Sequence, residues 1–235
     1  MQTEDGYIVR MCLYDDKAAF GLLVDKYKSG IYALAYSKLH NFRDAGNIAQ
    51  AAFIEAYEGL CTLTRRDSFL ALLCSITSNL CRDRIQTQFR YTGCDPAARQ
   101  TPDVPELDPV NSPRKRILRE SLDEVRDLLP EVLYQVVILR YLGGMNTREI
   151  ARFLGVSSGT ISQHLREARV VLGEEVIAMM REAHEQYKLR EDFTFYIVEM
   201  VKRLSGPSVS RITWLPLGLS LTVGIILLFW ESLSL

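Results

Sequence analysis

The stretch DAGNIAQAAFIEAYEGL, residues 44–60, places its apolar side chains at Ala45, Ile48, Ala49, Ala52, Phe53, Ala56, Tyr57 and Leu60. The steps alternate three and one, which lines one face of a 3.6-residue helix and no face of a strand. The segments on either side, AAFGLLVDKYKSGIYALAYSKL and DSFLALLCSITSNLCRDRI, have the same character. No alternating strand pattern of useful length occurs anywhere in the 235 residues. The spacing therefore predicts an all-α chain, and a hydrophobic content of 48% is enough to bury a core.

Prolines divide it. Residues 91–113 carry five of the eight, and proline neither continues a helix nor lets the residue before it do so easily. The expected organisation is a helical domain over 1–90, a flexible Pro-rich linker over 91–117 and a second helical domain over 118–172. A polar connecting helix over 173–210 and an apolar helix over 211–231 follow. Gly173 to Leu204 holds seven acidic and five basic residues, which suits a solvated or partner-facing helix, whole or in two pieces.

The opening MQTEDGYIVRMCLYDD is polar and acidic and does not read as a signal peptide. Cys12, Cys61, Cys74, Cys81 and Cys94 are odd in number and form no CxxC pair; they read as reduced, mostly buried thiols rather than a metal site. His40, His164 and His184 are scattered, and no Gly-rich phosphate loop follows a strand. Neither an enzyme nor a cofactor is expected.

TREIARFLGVSSGTISQHLREAR, residues 147–169, holds two helical patterns around one glycine turn. Asn146 with Glu149 fits a capping-box helix start, and Gly155 permits a tight turn. Ser157 can cap the next helix, whose buried side carries Ile161, Leu165, Ala168 and Leu172. Thr160, Ser162, Gln163, His164, Arg166 and Arg169 supply donors, acceptors and charge outside that stripe. This is the helix-turn-helix pattern, in which the first helix braces a second that enters the DNA major groove. The formal net charge is only −1, so any DNA affinity is local rather than global. Arg140 and Arg148 are further candidates for phosphate contacts.

The segment LLPEVLYQVVILRYLGGMNTREIARFLGVSSGTISQHLREARVVL resembles region 4 of the extracytoplasmic-function (ECF) sigma factors, bacterial initiation factors for RNA polymerase. Independently, DDKAAFGLLVDKY, FRDAGNIAQAAFIEAYEGL and DSFLALLCSITSNLCRDR resemble successive helices of region 2. Two matched regions in the right order, with a linker between, are far more specific than either alone. The resemblance implies partners: core RNA polymerase, promoter DNA and a possible anti-sigma factor or protease. It implies that Asp44, Ala45, Ile48, Gln50 and Phe53 belong to the polymerase-binding helix. Asn79, Arg82, Asp83 and Arg84 would serve the promoter −10 element, and Thr160, Ser162, Gln163, His164, Arg166 and Arg169 the −35 element. The chain departs from the family pattern at Gly46 and Asn47, at Leu72, Ser75 and Ser78, and at Ile85 and Gln86, where acidic, aromatic or basic residues are usual. Fewer basic residues mean fewer phosphate contacts.

Ile212 to Trp230 is 19 residues without a charge. As a helix it spans roughly 28 Å, close to the ~30 Å hydrocarbon core of a bilayer. Trp214 and Trp230 stand near its ends, with Lys202, Arg203 and Arg211 on the N-terminal side and Glu231 beyond. This predicts a single-pass anchor with the N-terminal domains in the cytoplasm. The leading expectation is a membrane-tethered sigma factor regulated by its tail. Two other readings fit the same residues: a membrane-bound helix-turn-helix regulator, and a sigma-like protein that binds polymerase without initiating.

Overall fold

The computed structural model describes residues 4–63, 68–91, 113–186, 189 and 192–204. Every regular element among them is helical. The order is α1 (Glu4–Leu13), α2 (Phe20–Leu39), α3 (Phe42–Glu58), α4 (Phe69–Tyr91), α5 (Pro113–Leu128), α6 (Glu131–Tyr141), α7 (Thr147–Leu154), α8 (Ser158–Gln186) and α9 (Asp192–Arg203), with short 3-10 turns at Lys17–Ala19 and Gly59–Thr62. The apolar run Ile212 to Trp230, Cys94 and residues 92–112 of the linker lie outside the described residues. Among those described, no helix is long and apolar enough to cross a membrane.

The first unit packs α1 to α4 around an aromatic centre. Phe20 meets Tyr57, Phe69 and Phe53 edge-to-face at centroid distances of 5.1, 6.0 and 6.5 Å, the geometry that ring quadrupoles favour. The 3-and-1 spacing of α3 is realised: Ala45, Ala49, Ala52, Phe53, Ala56 and Tyr57 are all fully buried. The alanines let α2 and α4 lie close on either side. Asn41 caps α3, its side chain accepting from the Asp44 N–H at 3.0 Å.

The second unit holds α5 to α8. Pro113 starts α5, so residues 113–117 are helical rather than linker; proline is pre-organised for the first helical position. Pro130 stands one residue before the first turn of α6, as its N-cap, and accepts the Tyr134 N–H at 2.9 Å.

The two units are not held apart. Their buried residues form one continuous core. The turn after α6 settles on the small residues of α2: a Cβ on Gly143 would lie 3.0 Å from the Ala33 Cβ, and one on Gly30 would lie 3.1 Å from the Met145 Sδ and 3.3 Å from Phe153. His40, the left-handed C-cap of α2, places its ring 5.4 Å from that of Tyr134.

The connecting segment is also different from a single solvated helix. Gly173, with φ 70° and ψ 166°, breaks α8; only glycine adopts that backbone readily. Beyond it, α9 folds back onto α2 and α3. Phe193, Ile197 and Val201 recur every four residues and bury one face. Charge count alone concealed this stripe.

Candidate nucleic-acid interface

The helix-turn-helix is built by local chemistry. Asn146 accepts the N–H groups of Arg148 and Glu149 at 3.0 Å each, and the Glu149 carboxylate accepts the Asn146 N–H at 2.7 Å. This is a complete capping box, which satisfies amides that a helix start leaves open. Gly155 ends α7 at φ 70°. The Ser157 hydroxyl accepts the Thr160 N–H at 3.0 Å and lies 2.8 Å from the Thr160 hydroxyl. Ile161, Leu165, Ala168 and Leu172 are all buried, and α7 lies across them with Ile150, Ala151 and Phe153 inward.

That packing leaves Ser162, Gln163, Arg166 and Arg169 exposed on α8. Thr160 is half-buried beside the cap. The Ser162 hydroxyl donates back to the Ser158 carbonyl at 2.9 Å, and the Gln163 amide donates to the Glu167 carboxylate at 2.9 Å. Arg166 projects into solvent. The Arg169 Nε lies 3.4 Å from the Tyr141 hydroxyl, which steadies its guanidinium at the rim. Arg148 and Arg152 are exposed on α7.

Two expected contacts change. His164 is half-buried, and its Nδ1 is shielded without a hydrogen-bond partner. Residue 164 follows Ile161 by three and precedes Ala168 by four, so it completes the inward stripe instead of standing outside it. Arg140 donates to the Met145 carbonyl at 2.8 Å and so holds the turn.

On α4, Asn79, Arg82 and Asp83 are exposed, with Ser75 and Gln86 on the same side. The Arg82 Nη1 lies 3.5 Å from the Asn79 Oδ1. Arg84 is committed elsewhere: it pairs with Asp44 at 2.8 Å, and Gln88 donates to the other oxygen of Asp44 at 3.1 Å. The fork ties α4 to α3 and keeps Asp44 buried, while the Arg84 side chain stays partly exposed. Of the other α3 residues expected to bind polymerase, Ala45 and Phe53 have no exposed surface. They hold the helix in place, while Ile48 and Gln50 are half-exposed.

Sequence reading missed Tyr141 and Gln88 as positioning residues. Periodicity marks Tyr141 as core, which it is, but says nothing of where its hydroxyl reaches. Gln88 sits 44 positions from Asp44, a separation that no local pattern spans. Among the described residues, Cys12, Cys61, Cys74 and Cys81 are free thiols. Burial raises the Cys12 and Cys74 thiols to about 12 and Cys81 to about 11, with Asp16 adding to the rise at Cys12. Among the described residues, no cluster of His, Cys, Asp or Glu could hold a metal ion.

Comparison with known proteins finds sequence matches over both units. The family model for sigma-70 region 2 matches residues 23–91, and that for sigma-70 region 4 matches 119–172. Together these span more than half of the chain. The chain is 27% identical to RNA polymerase sigma-H factor from Pseudomonas aeruginosa over 190 residues, covering 77% of this chain and 98% of the relative. It is 28% identical to ECF RNA polymerase sigma factor SigW from Bacillus subtilis over 179 residues, covering 68% and 90%. It is 27% identical to ECF RNA polymerase sigma-E factor from Escherichia coli over 188 residues, covering 77% and 98%. The chain belongs to the sigma-70 family of RNA polymerase sigma factors, in the ECF group. Its first unit, α2 to α4, is region 2, and its second, α5 to the first half of α8, is region 4.

Proposed function

We propose that this protein directs promoter-specific initiation by RNA polymerase, with α8 reading the −35 element and the exposed face of α4 meeting the −10 element. The observation that carries the reading is the division of labour on α8. The stripe Ile161, Leu165, Ala168 and Leu172 is buried, while Ser162, Gln163, Arg166 and Arg169 stay exposed, alongside Glu167, Val170 and Val171. Such side chains pair with base edges and phosphates. Ile48 and Gln50 on α3 form the contact with core polymerase, with Asp44, Ala45 and Phe53 holding that helix in register.

The protein is not itself catalytic. Strand opening needs no bond chemistry from it; unpaired bases are trapped by stacking and backbone contacts, and polymerase makes the RNA. The charge-free run Ile212 to Trp230 anchors the chain to the membrane with its domains in the cytoplasm, and the tail restrains activity until a signal or protease releases it. The departures at Ser75 and Ser78 favour a second reading, a sigma-like protein that engages polymerase but opens DNA poorly.

Reconstitution with core polymerase, followed by promoter selection and run-off transcription, separates these. A selected −35/−10 pair with run-off product supports the first reading, and polymerase binding without product supports the second. For the anchor, the full chain should sediment with membranes and the 1–204 truncation should not; equal solubility of the two contradicts it.

A further inference from the structure

Along the outward side of α8 the charges are sorted. The buried stripe Ile161, Leu165, Ala168 and Leu172 fixes which way the helix faces. With 3.6 residues to the turn, Gln163 and Val170 fall opposite that stripe, with Arg166 to one side of them and Glu167 to the other. Ser162 and Arg169 lie on the Arg166 side. Glu167 is the one acidic residue between Ser158 and Leu172. It is exposed, and its carboxylate accepts from the Gln163 amide, one turn back, at 2.9 Å. Val170 is 83% exposed.

A carboxylate in that place is unfavourable towards DNA in general and favourable towards one base. B-DNA carries one negative charge for about every 1.7 Å of its axis, so a negative side chain facing the groove lowers affinity for every sequence alike. An ionised carboxyl group only accepts hydrogen bonds. In the major groove guanine offers two acceptors, N7 and O6, and thymine offers the O4 acceptor beside a methyl group; none of these pairs with it. Cytosine presents a lone donor, its N4 amino group. Adenine has an amino donor too, but with the N7 acceptor beside it. That donor–acceptor pair suits a carboxamide, which carries both functions, rather than a carboxylate.

We propose that Glu167 is a specificity-determining residue of α8: its carboxylate accepts from the N4 amino group of one cytosine in the −35 element and disfavours the other three bases at that position. This rests on the reading of α8 as the −35 helix. Gln163 is the positioning residue. One of its amide hydrogens holds the Glu167 carboxylate, which orders a flexible side chain before DNA arrives. Its second amide hydrogen and its carbonyl oxygen are the donor and acceptor for the neighbouring base. Arg166 and Arg169, on the other side of the ridge, supply phosphate contacts, which position the helix without reading sequence. The basic side of α8 thus holds the duplex and the acidic side selects along it.

An exposed Gln–Glu pair that served only the stability of its helix would leave base preference untouched, so base preference is the readout. Core RNA polymerase loaded with the full chain, in mild detergent, selects sites from a randomised duplex library. The affinity of the selected sites, and of copies exchanged at single positions, is then measured by fluorescence anisotropy. Wild type, Glu167→Ala, Glu167→Arg and Gln163→Ala are compared.

Wild type is expected to retain a cytosine at one −35 position, and exchange of that base to weaken binding about tenfold, within the discrimination of a good side-chain–base pair. Glu167→Ala should lose the preference at that position alone. Glu167→Arg should invert the base pair there and take guanine, whose N7 and O6 accept from arginine. Gln163→Ala should relax the same position and its neighbour. If wild type and Glu167→Ala select the same bases, the variant merely binding all of them more tightly, the proposal is overturned and α8 stands as the −35 helix. A Glu167-dependent position that is not cytosine in the wild-type site overturns it equally. Failure of every form to select any −35 sequence overturns both readings. Glu167 is exposed and outside the buried stripe, so its replacements should melt, by circular dichroism, as the wild type does.

Discussion

Asp44 shows how a residue can look like an interface and be a fastener. It is 8% exposed, and both of its oxygens are engaged, by Arg84 and Gln88. Truncating one partner of a buried pair leaves the other unsatisfied, which costs more than the pair contributes. Asp44→Ala should therefore lower unfolding stability by about 1–3 kcal/mol, read by urea denaturation; a change within ~0.5 kcal/mol would show that the fork is not structural. His40 makes a second residue-scale case. Partial burial holds its pKa below the ordinary 6.5, aided by the positive Arg126 and opposed by Asp123 and Glu131. A base whose pKa is depressed in the fold binds its proton more readily when unfolded. The native state should then lose stability as pH falls through about 6.5. His40 touches Tyr134 across the two units, so acidification from pH 7.5 to 5.5 should lower the urea midpoint of the wild type, and His40→Gln should reduce that slope. An equal slope in both proteins counts against the assignment.

Among the elements, α7 and α8 were the most legible in sequence. Asn146, Glu149, Gly155 and Ser157 act within four residues of their partners, and the stripe from Ile161 to Leu172 follows helical period, so local pattern determines both. His164 was misplaced because its polar character outweighed its position in that stripe. The fate of α9 was not legible: the twelve charges between Gly173 and Leu204 read as a solvated segment, and the docking of α9 depends on Phe53, Asp25 and Lys17, all more than 130 positions away. The same limit applies to the close fit of the α6–α7 turn on Gly30 and Ala33. At this scale, Asn146→Ala should cost about 1 kcal/mol through loss of the cap, measured in the same denaturation assay. Arg166→Ala should weaken promoter binding and reduce the salt slope of affinity by about one, as expected for a phosphate contact. An unaltered slope with weaker binding would instead place Arg166 on a base.

The whole molecule is a region 2 unit and a region 4 unit packed face to face, with α9 fastened across the first. The segment over 92–112 carries Pro96, Pro102, Pro105 and Pro109 and lies outside the described residues. Both domains of the family and their order were legible from motif; that the units share one core was not, because no sequence pattern records which small residues of one helix receive another. The central claim is that this chain confers promoter recognition on RNA polymerase. The most direct measurement is run-off transcription by core polymerase on a selected promoter, with the wild type and with Arg166→Ala, on templates with intact and scrambled −35 elements. The account predicts product from the wild type on the intact template, with a large and similar loss from the Arg166→Ala variant or from scrambling, and no further loss when the two are combined. Product that is insensitive to both changes, or none above core polymerase alone, would contradict it.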